Sequence, residues 1–166
     1  MLRYKLVIGI DPDSEKSGVC TLNPSTKQME LRCLTFPALI NYLLNEQSAC
    51  VVRGEKIVVV VEAGWLVSKS NFHPYQGLRA EKIAKNVGAN HETGRKIVEM
   101  CEWYGINVET TPPYKKGWKG KDRKITHEEL AVFAPLPKSR TNQEERDAAL
   151  IAWNYANLPI IIRSKR

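Results

Sequence analysis

The stretch Leu6-Val-Ile-Gly-Ile-Asp-Pro-Asp13 decides the fold. It reads as an apolar β-strand that delivers a carboxylate, Asp11, at its C-terminal end. The chain then turns, and Gly18-Val-Cys-Thr-Leu22 reads as a second strand. A strand-borne aspartate acquires meaning only if other carboxylates converge on it, and the rest of the chain holds the candidates.

The pattern predicts strands over 4–10, 17–22 and 28–34. Asn23-Pro24-Ser25-Thr26 supplies turn chemistry, and Met29, Leu31 and Cys33 alternate with Glu30 and Arg32. Short turns between consecutive strands predict an antiparallel meander. A helix follows over 36–51, with Leu39, Ile40, Leu43 and Leu44 at helical spacing and Pro37 in its first turn. The β-branched run Ile57-Val-Val-Val-Val61 suits a strand buried on both faces, and it ends at Glu62. Residues 63–86 read as a poorly periodic connection, helical near 78–83. A helix over 90–104 and a strand over 105–110 complete a crossover, which makes strands four and five parallel. Thr126 and Glu129 form a capping-box pattern for a helix ending near Pro135, and a last helix is expected over 142–157. The fold class is therefore α/β: a five-stranded mixed sheet, order 3-2-1-4-5, flanked by helices in one domain over 1–166.

Composition narrows the function. With 43% hydrophobic and 26% charged residues, the chain reads as a soluble globular protein. No apolar run approaches the roughly 20 residues that span a bilayer, and the N-terminus lacks a signal-peptide pattern. The cytoplasm and no membrane partner are the expectations. The cysteines Cys20, Cys33, Cys50 and Cys101 form no Cys-x-x-Cys pair, so they read as reduced thiols rather than a zinc site.

The net charge of +7 favours a polyanionic partner. Much of it lies over 111–124, where Lys115, Lys116, Lys119, Lys121, Arg123 and Lys124 are set against a single acid, Asp122. Tyr114 and Trp118 are interleaved with them, a pattern that suits phosphate contact and base stacking. Arg79, Lys82 and Lys85, near the aromatics Trp65, Phe72 and Tyr75, form a second such region.

The last helix supplies the missing acids. Glu144 and Asp147 are three residues apart, hence on one helix face, and that face continues as Ala148, Ile151 and Tyr155. Helix-dipole stabilisation explains why acids are tolerated near an N-terminus, but not why they share the apolar face. Asp11, Glu62, Glu144 and Asp147 gathered at one sheet end would repel one another unless cations lay between them. Hard oxygen donors without a His/Cys cluster favour magnesium, with manganese as a substitute. Two such ions, roughly 4 Å apart, suit phosphodiester hydrolysis.

The order of elements, with Asp11, Glu62 and Asp147, resembles the RNase H-like superfamily. Ile8-Gly9-Ile10-Asp11-Pro12 and Glu144-x-x-Asp147-Ala-Ala-Leu-Ile-Ala resemble the RuvC-type Holliday junction resolvases. The resemblance implies a homodimeric endonuclease of DNA recombination and repair that nicks a four-way junction symmetrically, leaving 5′-phosphate and 3′-hydroxyl ends. It implies that Asp11, Glu62, Glu144 and Asp147 are both catalytic and metal ligands. It implies further that Trp65, or Phe72 or Tyr75, stacks on unpaired bases, and that the crossover helix lies beside the dimer interface. Two residues depart from the pattern: Asp13 where the family has glycine, and Glu144 where it has aspartate or histidine. The long basic loop suggests a phage or mobile-element enzyme accepting branched DNA broadly. The alternatives are another RNase H-like nuclease acting on RNA–DNA hybrids or linear DNA, or a non-catalytic branched-DNA binder. A sugar-kinase fragment would need a second domain.

Overall fold

The strand pattern forms the sheet that the short turns and the crossover demand. In the computed structural model, which describes residues 3–67, 77–114 and 117–163, β1 (Leu6–Asp11), β2 (Ser17–Leu22) and β3 (Met29–Leu34) make an antiparallel meander. Helix α1 (Phe36–Val52) leads to β4 (Ile57–Glu62), which pairs parallel to β1. Helix α2 (Leu78–Trp103) crosses to β5 (Val108–Thr111), parallel to β4. A short helix α3 (His127–Ala131) and then α4 (Gln143–Tyr155) follow. The sheet order is β3-β2-β1-β4-β5, as the sequence predicts.

Three boundaries differ from the sequence reading. The crossover helix starts at Leu78, not near 90. Its buried residues, Gly94, Ile97 and Cys101, all lie in its C-terminal half, so the first half carries no strong apolar stripe to read. Gly105, expected to open the fifth strand, instead ends α2 with φ +67°, while the Ile106 N–H returns to the Cys101 carbonyl. The strand begins only at Val108. Helix α3 stops at Ala131, short of Pro135.

Strand parity sorts the core. On β1 and β4, Val7, Val58 and Val60 pack with α4, whereas Ile8, Ile10, Val59 and Val61 pack with residues of α1 and α2. Both faces of the central strands are therefore dry, which explains the unbroken run of valines. Trp153 of α4 is fully buried, and its indole N–H donates to the Pro159 carbonyl at 3.0 Å, fastening the segment after the helix.

Two glycines let α4 lie directly on the sheet. A Cβ on Gly9 would meet the Ala148 carbonyl oxygen at 2.5 Å and the Ala152 nitrogen at 2.7 Å. A Cβ on Gly18 would come 2.0 Å from the Glu144 carbonyl oxygen. The helix backbone can approach this closely only where the strands carry no side chain.

Candidate active site

The same parity that buries Val7 and Val58 sends Asp11 and Glu62 to the α4 side of the sheet. The register pairs Ile10 with Val61, so Asp11 and Glu62 end adjacent parallel strands side by side. Helix α4, seated on Gly9 and Gly18, brings Asp147 over the same end. Asp11, Glu62 and Asp147 all line one cleft of about 350 Å³.

The acids feel one another. Burial, followed by the charges of Glu62 and Asp147, holds the Asp11 carboxyl well above the usual carboxylate range. Lys124 opposes the shift, and Glu144 adds the smallest contribution to it. Lys124 itself is drawn up: burial works against its charge, but its hydrogen bond to Asp147 prevails, with Asp11 and Glu62 behind it.

Asp147 is bracketed. Lys124 Nζ donates to its Oδ2 at 2.8 Å, and Gln143 Nε2 donates to its Oδ1 at 2.8 Å. Arg146 holds Gln143 in turn, with Nη2 donating to Gln143 Oε1 at 3.0 Å and Nε to the Ile125 carbonyl at 2.9 Å.

Glu144 stands apart from the other three. It lines an adjoining polar cleft with Asp13, Lys16 and Cys33. Asp13 builds the β1–β2 turn. Its Oδ1 accepts from the Glu15 N–H at 2.8 Å and the Lys16 N–H at 3.3 Å. Asn90 of α2 donates to its Oδ2 at 3.4 Å and accepts from the Ser14 N–H at 2.9 Å, tying the turn to α2.

The aromatic and basic residues divide between wall and surface. Trp65 lines the cleft but is half-buried: it lies against Gly94, its ring sits edge-on to His91 with centroids 6.4 Å apart, and the Arg95 guanidinium lies over it, 5.5 Å from the ring centroid. Trp118 also lines the cleft, yet it packs on Phe133 at 6.2 Å beside the α4 core. Tyr114, at the cleft and 39% exposed, is the more open ring. Arg79, Lys82 and Lys85 are exposed on α2, and Lys119, Lys121 and Arg123 on the basic loop. Phe72, Tyr75, Lys115 and Lys116 lie outside the described residues. The loop is a built turn: Gly120 N–H donates to the Lys124 carbonyl at 2.9 Å, and Lys119 N–H to Glu129 Oε1 at 3.1 Å.

Sequence reasoning missed the supports. Gln143 lies four residues before Asp147 on one helix, and that spacing was the available signal for it. Glu145, only 5% exposed, completes a capping box with Asn142 and pairs with Lys138. The Asn142-x-x-Glu145 spacing was the available signal.

The donor set fits a hard divalent cation in kind, since three carboxylates share one cleft and the charges of two of them push up the third. Among the described residues, no three His, Cys, Asp or Glu side chains stand close enough together to hold one ion. Among the described residues, no helix is long and apolar enough to cross a membrane.

No family model matches the chain, and no curated protein matches it. Among solved structures it is similar to T. thermophilus RuvC in complex with a Holliday junction substrate, at 16% identity and a TM-score of 0.52. The match covers 92% of this chain and 93% of that one. The five-stranded sheet in the order β3-β2-β1-β4-β5, flanked by helices, is the RNase H-like fold of RuvC.

Proposed function

We propose that the chain is a metal-dependent, structure-selective DNA endonuclease that resolves four-way junctions by paired nicks. The observation that carries this reading is the convergence of Asp11, Glu62 and Asp147 in one cleft of an RNase H-like fold. The solved relative is in complex with a Holliday junction, which supports branched DNA as the substrate class.

Asp11, Glu62 and Asp147 would hold magnesium or manganese, with Glu144 contributing from the adjoining cleft. Such ions, two per site in this reading, supply Lewis-acid activation of the attacking water and of the leaving oxygen. The protein's own part is placement. Gly9 and Gly18 let α4 carry Asp147 to the strand ends. Pro12, Trp65 and Trp118 form the apolar walls that limit water around the acids. Tyr114 offers a face for a base, while Lys119, Lys121 and Arg123 meet the phosphates and Arg79, Lys82 and Lys85 extend the track along α2.

Paired nicks need two sites, hence a homodimer. The N-terminal half of α2, which buries none of its residues fully and leaves Leu78 85% exposed, suits the contact with a second copy. The cytoplasm suits such an enzyme.

The test is incubation with a synthetic four-way junction, a linear duplex and an RNA–DNA hybrid, with and without magnesium. Symmetric, magnesium-dependent nicks in the junction are expected. Cleavage of the hybrid alone would make the protein a ribonuclease H-type enzyme, and binding without cleavage in any metal would make it a non-catalytic binder.

A further inference from the structure

Asp147 has both carboxylate oxygens engaged, and the two partners differ in kind. Gln143 is one helical turn before it, four residues back on α4, and is itself fixed from behind. Arg146 reaches Gln143 Oε1 while its remaining N–H groups go to the Ile125 and Thr141 carbonyls. This chain of bonds runs entirely between α4 and the segments flanking α3, so it moves only if the helix moves. Lys124 is the opposite case. Its backbone is anchored by the Gly120 N–H and by fully buried Ile125 beside it, but 35% of its side chain is exposed to solvent. The same loop carries Lys119, Lys121 and Arg123 on its exposed surface.

We propose that Gln143 is a positioning residue that keeps Asp147 aimed into the cleft, and that Lys124 is an internal cation which a divalent ion must displace from Asp147 Oδ2. This rests on the reading of Asp11, Glu62 and Asp147 as a metal-binding set. The lysine supplies one positive charge to the acid cluster before a metal arrives. A rival for that lysine exists on the substrate: a DNA phosphate is an acceptor for an ammonium and has no use for an amide already bound to Arg146. DNA at the basic loop therefore frees Asp147 Oδ2, and the site gains metal affinity when substrate is present. The loop that binds the backbone and the acid that binds the metal are linked through one side chain.

Manganese titration of the full-length protein without DNA, followed by calorimetry, reads the competition directly. Lys124→Met keeps the stem and removes the charge, and it is expected to tighten manganese binding on the order of tenfold. Gln143→Leu keeps the helix and removes the donor, and it is expected to weaken manganese binding by a similar factor. Its thermal stability without metal separates a positioning role from a structural one: a positioning residue changes the affinity of a protein that melts like the wild type. A short DNA duplex should tighten manganese binding to the wild type and leave Lys124→Met unchanged. Unchanged or weaker manganese binding by Lys124→Met overturns the lysine's role, and unchanged binding by Gln143→Leu overturns that of the glutamine. Absence of binding by Lys124→Met overturns the inference whether or not the wild type cuts DNA. Correct ordering of affinities in a protein that cuts no junction would instead refute only the function proposed above.

Discussion

Gly18 of β2 lies directly beneath the backbone of Glu144 in α4, so closely that a Cβ on the glycine would stand 2.0 Å from the Glu144 carbonyl oxygen. The partner in that clash is backbone, which cannot rotate away. Gly18→Ala must lift the N-terminal end of α4, and Asp147 with it. We expect a loss of about 1–3 kcal/mol of stability from overpacking, seen as a Tm lower by roughly 3–10 °C. Junction cleavage should fall further than stability does, because Asp147 is displaced from Asp11. A variant with wild-type Tm and wild-type nicking would show that α4 does not depend on this notch.

Asp11→Asn removes a carboxylate that burial and its acidic neighbours disfavour. In EDTA the variant should melt above the wild type, by roughly 2–4 °C for each kcal/mol of relieved repulsion. Magnesium should raise the Tm of the wild type and do little for the variant. Nicking should be abolished while junction binding persists, since the basic surfaces are untouched. Magnesium-dependent nicking by Asp11→Asn at the wild-type rate would remove Asp11 from the site.

Stability without metal should depend on pH through the same residue. The folded state holds the Asp11 proton more tightly than the unfolded chain does. Asp11 therefore contributes stability that is fully present below the ordinary carboxylate value, about 4, and is lost as pH rises through its raised folded value. Denaturation in urea and EDTA across that window should give a decline in wild-type stability that Asp11→Asn flattens. Parallel curves for the two proteins would mean that Asp11 titrates normally.

Neutralising Lys115, Lys116, Lys119 and Lys121 together should weaken junction binding and flatten its salt dependence. The slope of log affinity against log salt should fall by about 0.9 for each DNA phosphate that is no longer neutralised. An unchanged slope would mean that the loop faces away from DNA.

Tyr114 and Trp65 give opposite expectations. Trp65 is half-buried against Gly94, His91 and Arg95, so Trp65→Ala should remove packing and lower stability, by less than the roughly 3–5 kcal/mol lost at a fully buried tryptophan. Tyr114→Ala should leave the Tm near that of the wild type and cost about 1–3 kcal/mol in junction binding, because a base then has no ring to stack on. Fluorescence melting and a binding titration of the two variants check both; reversed effects would exchange their roles.

The sequence by itself determined the strands, the meander and the final crossover. Short turns between alternating strands favour a meander, and the helix between β4 and β5 favours a parallel crossover. The valine run of β4 announced burial on both faces, and Asn142 and Thr126 announced where the last two helices start. These are local signals, written in period and in turn chemistry. What the sequence left undecided was which acids meet. Asp11, Glu62 and Asp147 are separated by long stretches of chain, and only the β1–β4 register and the close seating of α4 on Gly9 and Gly18 bring them into one cleft. Spacing alone put Glu144 beside Asp147, but the helix turns it into the neighbouring cleft. The role of Lys124 was likewise unreadable, since a hydrogen bond across 23 residues, from Lys124 to Asp147, leaves no pattern in a sequence. Strands, turns and caps follow from local chemistry, whereas the β1–β4 pairing and the convergence of the acids depend on how the chain packs over long separations.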